Sequence, residues 1–192
     1  MSTLSSPSLS DPAGVQWHVK AGTITTEELL SSPSAFFEVY RGEWSNYTIA
    51  VKKALNQEII PDDIRLLDAE VTQLRKLYHP NVQAILGGCI TPPNVSLFTE
   101  LMPVGSLHHL LHDPEFNMDQ RLALKFVMEV AKGLAYLHEQ QPPIAHKNLK
   151  STNILVTEDL TLKLTDYGAN YVFNSATNRD RLFEPQWFAP EG

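Results

Sequence analysis

Cysteine is nearly absent: Cys89 is the one thiol in 192 residues. No disulfide can form within the chain, so the fold must rest on a buried core, as suits a reducing compartment. A lone thiol is more often a small buried hydrophobe than a nucleophile, and nothing beside Cys89 would activate it. Long apolar runs are missing too. None approaches the ~20 residues that a membrane helix needs, so no membrane insertion is expected. The N-terminus has no basic stretch leading into an apolar one, so no secretion signal is read and cytoplasm is the expected location. Positive charge is in deficit, with 15 Lys and Arg against 22 Asp and Glu and a net charge of −7. That argues against nucleic acid as a partner, which would need a basic face. What is present, 43% hydrophobic and 19% charged residues, is ordinary for a globular domain with one sizeable core.

Met1 to Ser10 is rich in Ser and cannot bury enough apolar surface to fold alone. Residues 1–25 are expected to be a disordered or extended lead-in. From Phe36 the pattern turns β-like. Phe37 to Tyr40 and Tyr47 to Val51 predict strands, with a turn over Gly42 to Asn46. Ile64 to Tyr78 predicts a helix burying Leu67, Val71, Leu74 and Tyr78, and His79-Pro80-Asn81 ends it. Val82 to Leu86 and Val95 to Glu100 predict two more strands around the Pro92-Pro93-Asn94 turn, and Pro103 to Ser106 a linker. Asp119 to Gln140 is the clearest helix, with Leu122, Phe126, Val130, Leu134 and Leu137 on one face and Asn117 or Asp119 as its cap. Ile154 to Val156 and Leu162 to Leu164 predict a hairpin across Thr157-Glu158-Asp159. The expected class is α+β, with a strand-rich lobe over 26–102 and a helical lobe over 103–192. A cleft between two lobes is a common ligand site.

Four segments then carry chemistry. Ile49-Ala50-Val51-Lys52 places a cation at the end of a rigid strand, although a lone strand lysine is most often simply solvated. His146-Lys147-Asn148-Leu149-Lys150-Ser151-Thr152-Asn153 precedes the hairpin, and Asp166-Tyr167-Gly168 follows it. Ala189-Pro190-Glu191 comes near the end. In this order they resemble the V-A-I-K, H-R-D-L-x-x-x-N, D-F-G and A-P-E signatures of the protein kinase family, and the resemblance runs from about Leu30 to Gly192.

The resemblance implies a bilobal protein-kinase-like fold whose second lobe is cut short after Ala189-Pro190-Glu191. Family members continue into further helices, so the chain reads as a fragment of a longer protein, the alternative being a partner that covers the exposed face. It implies ATP and Mg²⁺ as ligands. Lys52 would reach the phosphates and be held by Glu70 of the following helix, with Asp166 and Asn153 as metal ligands. Thr99 would be the gatekeeper, Glu100 and Met102 would offer backbone groups to adenine, and Val39, Ala50 and Leu155 would sandwich the base. Plain core packing explains those apolar residues equally well. Lys150 matches the serine/threonine-type catalytic loop. His146, Tyr167, Leu74 and Ile85 would stack as a spine, and Ser175 and Thr177 lie where activating phosphorylation would fall.

Two departures stand out. Asn148 occupies the position of the catalytic base, and an amide has no basic oxygen to accept the substrate's hydroxyl proton. General base catalysis contributes ~10²–10⁴-fold in rate. The glycine-rich loop is also lost: Ser32, Ser34 and Phe37 stand at its three glycine positions. Glycine there lets backbone N–H groups approach phosphate, whereas the Phe37 ring would fill phosphate space. Three readings follow. The first is a pseudokinase, a signalling scaffold or allosteric switch with protein partners and a nucleotide site left open. The second is a weakly active serine/threonine kinase, and the third a structural protein whose cleft is closed by side chains. In His79-Pro80-Asn81-Val82, Leu86-Gly87-Gly88-Cys89 and Met102 to Leu107 the chain is similar to the tyrosine-kinase-like serine/threonine group, and with Gly42-Glu43-Trp44 to integrin-linked-kinase-type pseudokinases. It keeps Lys150, Asn153 and Asp166, which that last pattern largely lacks.

Overall fold

A computed structural model describes residues 18–20, 22–30, 37–55 and 61–168, the side chains of 61–63 excepted. The first lobe is a five-stranded antiparallel sheet in the order β1-β2-β3-β5-β4. Its strands are β1 (Thr25–Leu29), β2 (Phe37–Trp44), β3 (Tyr47–Ala54), β4 (Ile85–Cys89) and β5 (Ser96–Glu100). Side chains alternate across it. Ile49, Val51, Phe98 and Cys89 form an outer cluster, covered by Val19, Ile24, Tyr40, Trp44 and Leu86. Burying each large member of such a cluster stabilises the fold by about 1.5–3 kcal/mol. Ala50 and Lys52 therefore face inward, toward the second lobe.

The β2–β3 turn is shorter than the sequence suggests. Only Ser45 and Asn46 leave the ladder, with φ of 50° and 67°, and Trp44 already pairs with Tyr47. Two positive φ values match the right-handed twist of a tight hairpin, and Asn tolerates them. Gly42 is not a turn residue. It pairs with Ile49 inside the ladder, where a Cβ would lie 2.8 Å from Val51 Cγ2 and 2.9 Å from the Thr25 carbonyl. That close approach admits β1, a strand the hydrophobic pattern does not reveal because all five of its residues are exposed.

Helix α1 (Pro61–Leu74) begins on a proline, which fits a first turn, and buries Leu67, Val71 and Leu74. It ends before Tyr78, which is 76% exposed, while Leu77 is buried in its place. The strand expected over Val82 to Leu86 is displaced to β4. Asn81 to Gln83 instead joins the other lobe: Leu164 N–H donates to the Asn81 carbonyl and Gln83 N–H to the Leu164 carbonyl, both at 2.9 Å.

The second lobe holds a three-stranded sheet, β6 (Gly105–Ser106), β7 (Ile154–Val156) and β8 (Leu162–Leu164), with α2 (Leu107–Leu111) and α3 (Gln120–His138). The expected linker thus contributes β6, and Ser106 caps α2 by accepting from His109 N–H. Asp119 caps α3, its carboxylate accepting from Leu122 N–H at 2.7 Å. The expected stripe of α3 packs into the core that also holds β7, β8 and Tyr167. At Gly133 a Cβ would lie 2.7 Å from the Asn81 carbonyl oxygen, so this glycine lets α3 touch the segment joining the lobes. Among the described residues no helix is long and apolar enough to cross a membrane.

Candidate functional site

Strand β3 carries Lys52 opposite Val39 of β2 and Leu97 of β5, and it carries Ala50 opposite Thr99. The Lys52 ammonium forms an ion pair with Asp166 and donates to Thr165 Oγ1 at 3.0 Å. Both charged side chains are largely enclosed, 14% and 11% exposed. Lys52 makes no ion pair with Glu70 in this structure, which corrects the pairing read from the sequence. Glu70 lies instead beside the D-Y-G segment, its Oε1 3.4 Å from where a Cβ on Gly168 would stand. Burial holds its carboxyl above the usual range, against the opposing field of Lys147.

Residues 146–153 form a closed loop. Asn153 Nδ2 donates to the Asn148 carbonyl at 2.8 Å, and the Asn153 carbonyl accepts from Thr165 N–H at 3.0 Å. The Lys150 carbonyl accepts from Asn153 N–H at 2.8 Å, closing the short 3-10 turn Ser151–Asn153. Lys147 and Asp166 both sit in the left-handed region, at φ of 64° and 63°. Non-glycine residues held there cost on the order of 1–3 kcal/mol each, and such positions cluster at functional sites. His146 is buried and packs edge-on to Tyr167, ring centroids 6.4 Å apart. Burial lowers its pKa, and the nearby Asp166 charge partly opposes that shift. Leu74, Tyr167 and Ile85 share the same core, so the expected spine residues are brought together.

The positions expected to face a base are less uniform. Ala50 and Thr99 are buried, and Val39, Met102 and Leu155 half-buried. The Thr99 hydroxyl has no partner among the described residues. Met102 turns its carbonyl to Gly105 N–H at 3.1 Å. Glu100 is already engaged. Its carboxylate accepts from Lys163 at 2.7 and 2.8 Å and from Ala84 N–H at 2.9 Å, while its carbonyl accepts from Gln83 Nε2 at 2.9 Å. A carbonyl has two lone pairs, so one stays for a ligand. Phe37 places its ring centroid 5.6 Å from Lys52 Nζ, over the cation. Ser32, Ser34, Ser175, Thr177 and Ala189-Pro190-Glu191 lie outside the described residues.

The donor chemistry suits a nucleotide with a hard cation. Because the Asn153 amide nitrogen faces a carbonyl, its Oδ1 is the atom left to act as a ligand. The orphaned Thr99 hydroxyl on the inner sheet face fits a polar ligand edge. A shallow groove along α3, lined by Arg121, Leu124, Lys125, Met128, Glu129 and Lys132, contains none of these residues. Sequence reasoning missed Gln83, Thr165 and Lys163. The one available signal was a glutamine inside the apolar run from Val82 to Leu86.

Residues 24–192 match the family model described as protein tyrosine and serine/threonine kinase. The chain is 36% identical over 170 residues to a probable serine/threonine-protein kinase, SIS8, of Arabidopsis thaliana, covering 88% of this chain and 16% of that protein. It is 36% identical over 154 residues to a probable serine/threonine-protein kinase, drkA, of Dictyostelium discoideum, covering 80% and 24%. It is 36% identical over 161 residues to the serine/threonine-protein kinase CTR1 of Arabidopsis thaliana, covering 82% and 20%. The chain thus spans a minor part of the length of each relative.

Proposed function

Because this chain belongs to the protein tyrosine and serine/threonine kinase family, we propose that it is a kinase-like module that binds ATP with Mg²⁺ but transfers phosphate poorly or not at all. It then serves as a signalling scaffold or switch for protein partners, in the cytoplasm. The observation that carries this reading is Asn148. Its main-chain carbonyl accepts from Asn153 Nδ2 at 2.8 Å, and by the family resemblance its side-chain amide stands where a base would act. No proton can be taken up there at neutral pH. The resemblance to integrin-linked-kinase-type pseudokinases supports the same reading.

In this proposal Lys52 binds the phosphates, and Asn153 and Asp166 hold Mg²⁺. The ion, when bound, neutralises charge on the phosphoryl oxygens. Ala50, Val39 and Leu155 enclose adenine, Thr99 forms the wall behind it, and the Glu100 carbonyl and Met102 backbone orient it. Lys150, which matches the serine/threonine-type loop, supports the serine/threonine assignment. Phosphoryl transfer depends mostly on positioning and electrostatics, so the enclosed Lys52–Asp166 pair favours a second reading, a weakly active serine/threonine kinase. The Phe37 ring over Lys52 favours a third, in which side chains close the cleft.

A thermal-shift titration with ATP, with and without Mg²⁺, tests the site. A ligand that binds only the folded state at 100 times its Kd stabilises it by about 2.7 kcal/mol. A saturable, Mg²⁺-dependent rise in Tm that Lys52→Met abolishes is the expected result. No shift from a folded sample would overturn nucleotide binding and leave the closed-cleft reading.

A further inference from the structure

We propose that Gln83 is the positioning residue of the cleft, holding Lys52 and Asp166 in register: its side-chain amide ties Thr165 to the Glu100 carbonyl, and its main-chain carbonyl holds Tyr167. The proposal rests on the reading of the cleft as a nucleotide site and adds a residue that no kinase signature in the sequence points to. Gln83 is 3% exposed, and each of its four polar groups has a partner. Its N–H donates to the Leu164 carbonyl at 2.9 Å, and its carbonyl accepts the Tyr167 hydroxyl at 2.6 Å. Its side-chain Nε2 donates to the Glu100 carbonyl at 2.9 Å, and its Oε1 accepts the Thr165 hydroxyl. The amide orientation follows from chemistry, because a carbonyl at Glu100 demands a donor.

The consequence runs through a single proton. The Thr165 hydroxyl has one hydrogen, and Gln83 Oε1 takes it. Only lone pairs of Thr165 Oγ1 then face Lys52 Nζ at 3.0 Å, so the ammonium lies between that oxygen and the Asp166 carboxylate. Without the Gln83 acceptor, the hydroxyl's other acceptor among the described residues is Asp166 Oδ1, 3.4 Å away. The hydroxyl would then compete with Lys52 for the carboxylate oxygen. Meanwhile the Tyr167 hydroxyl anchors the residue after Asp166 to the same glutamine, which limits how Asp166 can turn. One buried side chain therefore joins the backbone expected to read adenine to the carboxylate expected to hold Mg²⁺. Tightly satisfied buried networks of this kind specify one arrangement.

The test uses the full chain as Gln83→Met, Thr165→Val, Thr165→Ser and the Gln83→Met/Thr165→Val double variant. Hydrogen exchange is measured without ligand, and ATP affinity with and without Mg²⁺. Gln83→Met and Thr165→Val should each speed amide exchange at Thr165 to Gly168. Each should weaken the Mg²⁺-dependent part of ATP affinity by about tenfold, the scale of one hydrogen bond to a charged group, with a smaller loss of Mg²⁺-free affinity through Lys52. The double variant should be no worse than the worse single one, and Thr165→Ser should behave as wild type. Unchanged exchange at Thr165 to Gly168 in the folded variants overturns the proposal. So do additive effects, or an equal loss with and without Mg²⁺. If wild type binds no ATP, the nucleotide reading fails by itself and the exchange data alone decide the role of Gln83. If Gln83→Met does not fold, the Thr165→Val and Thr165→Ser pair decides it.

Discussion

Lys52 and Asp166 form an enclosed ion pair, although the helix bearing Glu70 lies in the same lobe as the lysine. The Glu70 carboxylate makes no ion pair with Lys52, and burial raises its pKa against the opposing charge of Lys147. A half-buried carboxylate whose desolvation outweighs the field of Lys147 destabilises the fold at neutral pH. Glu70→Gln should therefore raise Tm at pH 7, by roughly 2–4 °C for each kcal/mol relieved. The gain should shrink as pH falls through the raised pKa of Glu70, where the folded wild type takes up a proton first. A fall in Tm at pH 7 would show that Glu70 holds Lys52 after all.

The Phe37 ring lies over Lys52, where the proposed site would bind phosphate. A cation over an aromatic ring is stabilised by about 0.5–2 kcal/mol, and the ring also takes up space. In Phe37→Ala the ATP affinity should rise by about 2- to 30-fold, read by calorimetry. Unchanged affinity would mean that the ring swings aside at no cost.

Asn148 is the proposed reason for weak or absent phosphoryl transfer. Restoring a carboxylate with Asn148→Asp should raise phosphate incorporation into a generic protein substrate by ~10²–10⁴-fold, the usual range for a general base. Radiolabel transfer measures this, with Lys52→Met as the background. No gain would place the defect in the altered glycine-rich loop instead.

Protonation of His146 should limit acid stability. Burial lowers its pKa in the folded state, so the ring is neutral when folded and protonates more readily when unfolded. Stability is then full above the ordinary histidine pKa of about 6.5 and is lost as pH falls below it. His79 adds the same sign, through burial and then the Lys132 charge. Tm should drop between pH 7 and pH 5, and His146→Phe, which keeps a ring in the core, should flatten part of that drop. An unchanged profile would remove His146 as a source.

Gly133→Ala tests the joint between the lobes. The added methyl would meet the Asn81 carbonyl at 2.7 Å and Leu164 Cδ1 at 2.9 Å. Overpacking of this kind costs about 1–3 kcal/mol, which denaturant titration would read as a lower midpoint. No change would mean that α3 can move away from Asn81 freely.

Local patterns were legible wherever a segment's own side chains decide its state. Helix α3 repeats apolar residues at helical spacing behind an Asp119 cap, and β3 carries branched residues on both faces. The loop from His146 to Asn153 keeps its order and spacing, so its chemistry could be read without a fold. Strand β1 was illegible because Thr25-Thr26-Glu27-Glu28-Leu29 buries nothing, and only a ladder to β2 makes it a strand. Tyr78 was misplaced because α1 ends one turn early, and the end of a helix is set by what surrounds it.

The sequence by itself determined which groups are available: a strand lysine, an amide at position 148, a carboxylate at 166 and no glycine at 37. Those are covalent facts, and the chemistry each group can perform follows from its type. The tertiary structure alone decided the partners. Lys52 and Asp166 are far apart in the chain, and their pairing depends on how β3 and the segment after β8 approach. Gln83 looks like a misplaced polar residue in an apolar run until folding surrounds it with Glu100, Thr165 and Tyr167. Hydrogen bonds act over about 3 Å, and no linear pattern encodes distances of that size between residues so far apart in the chain.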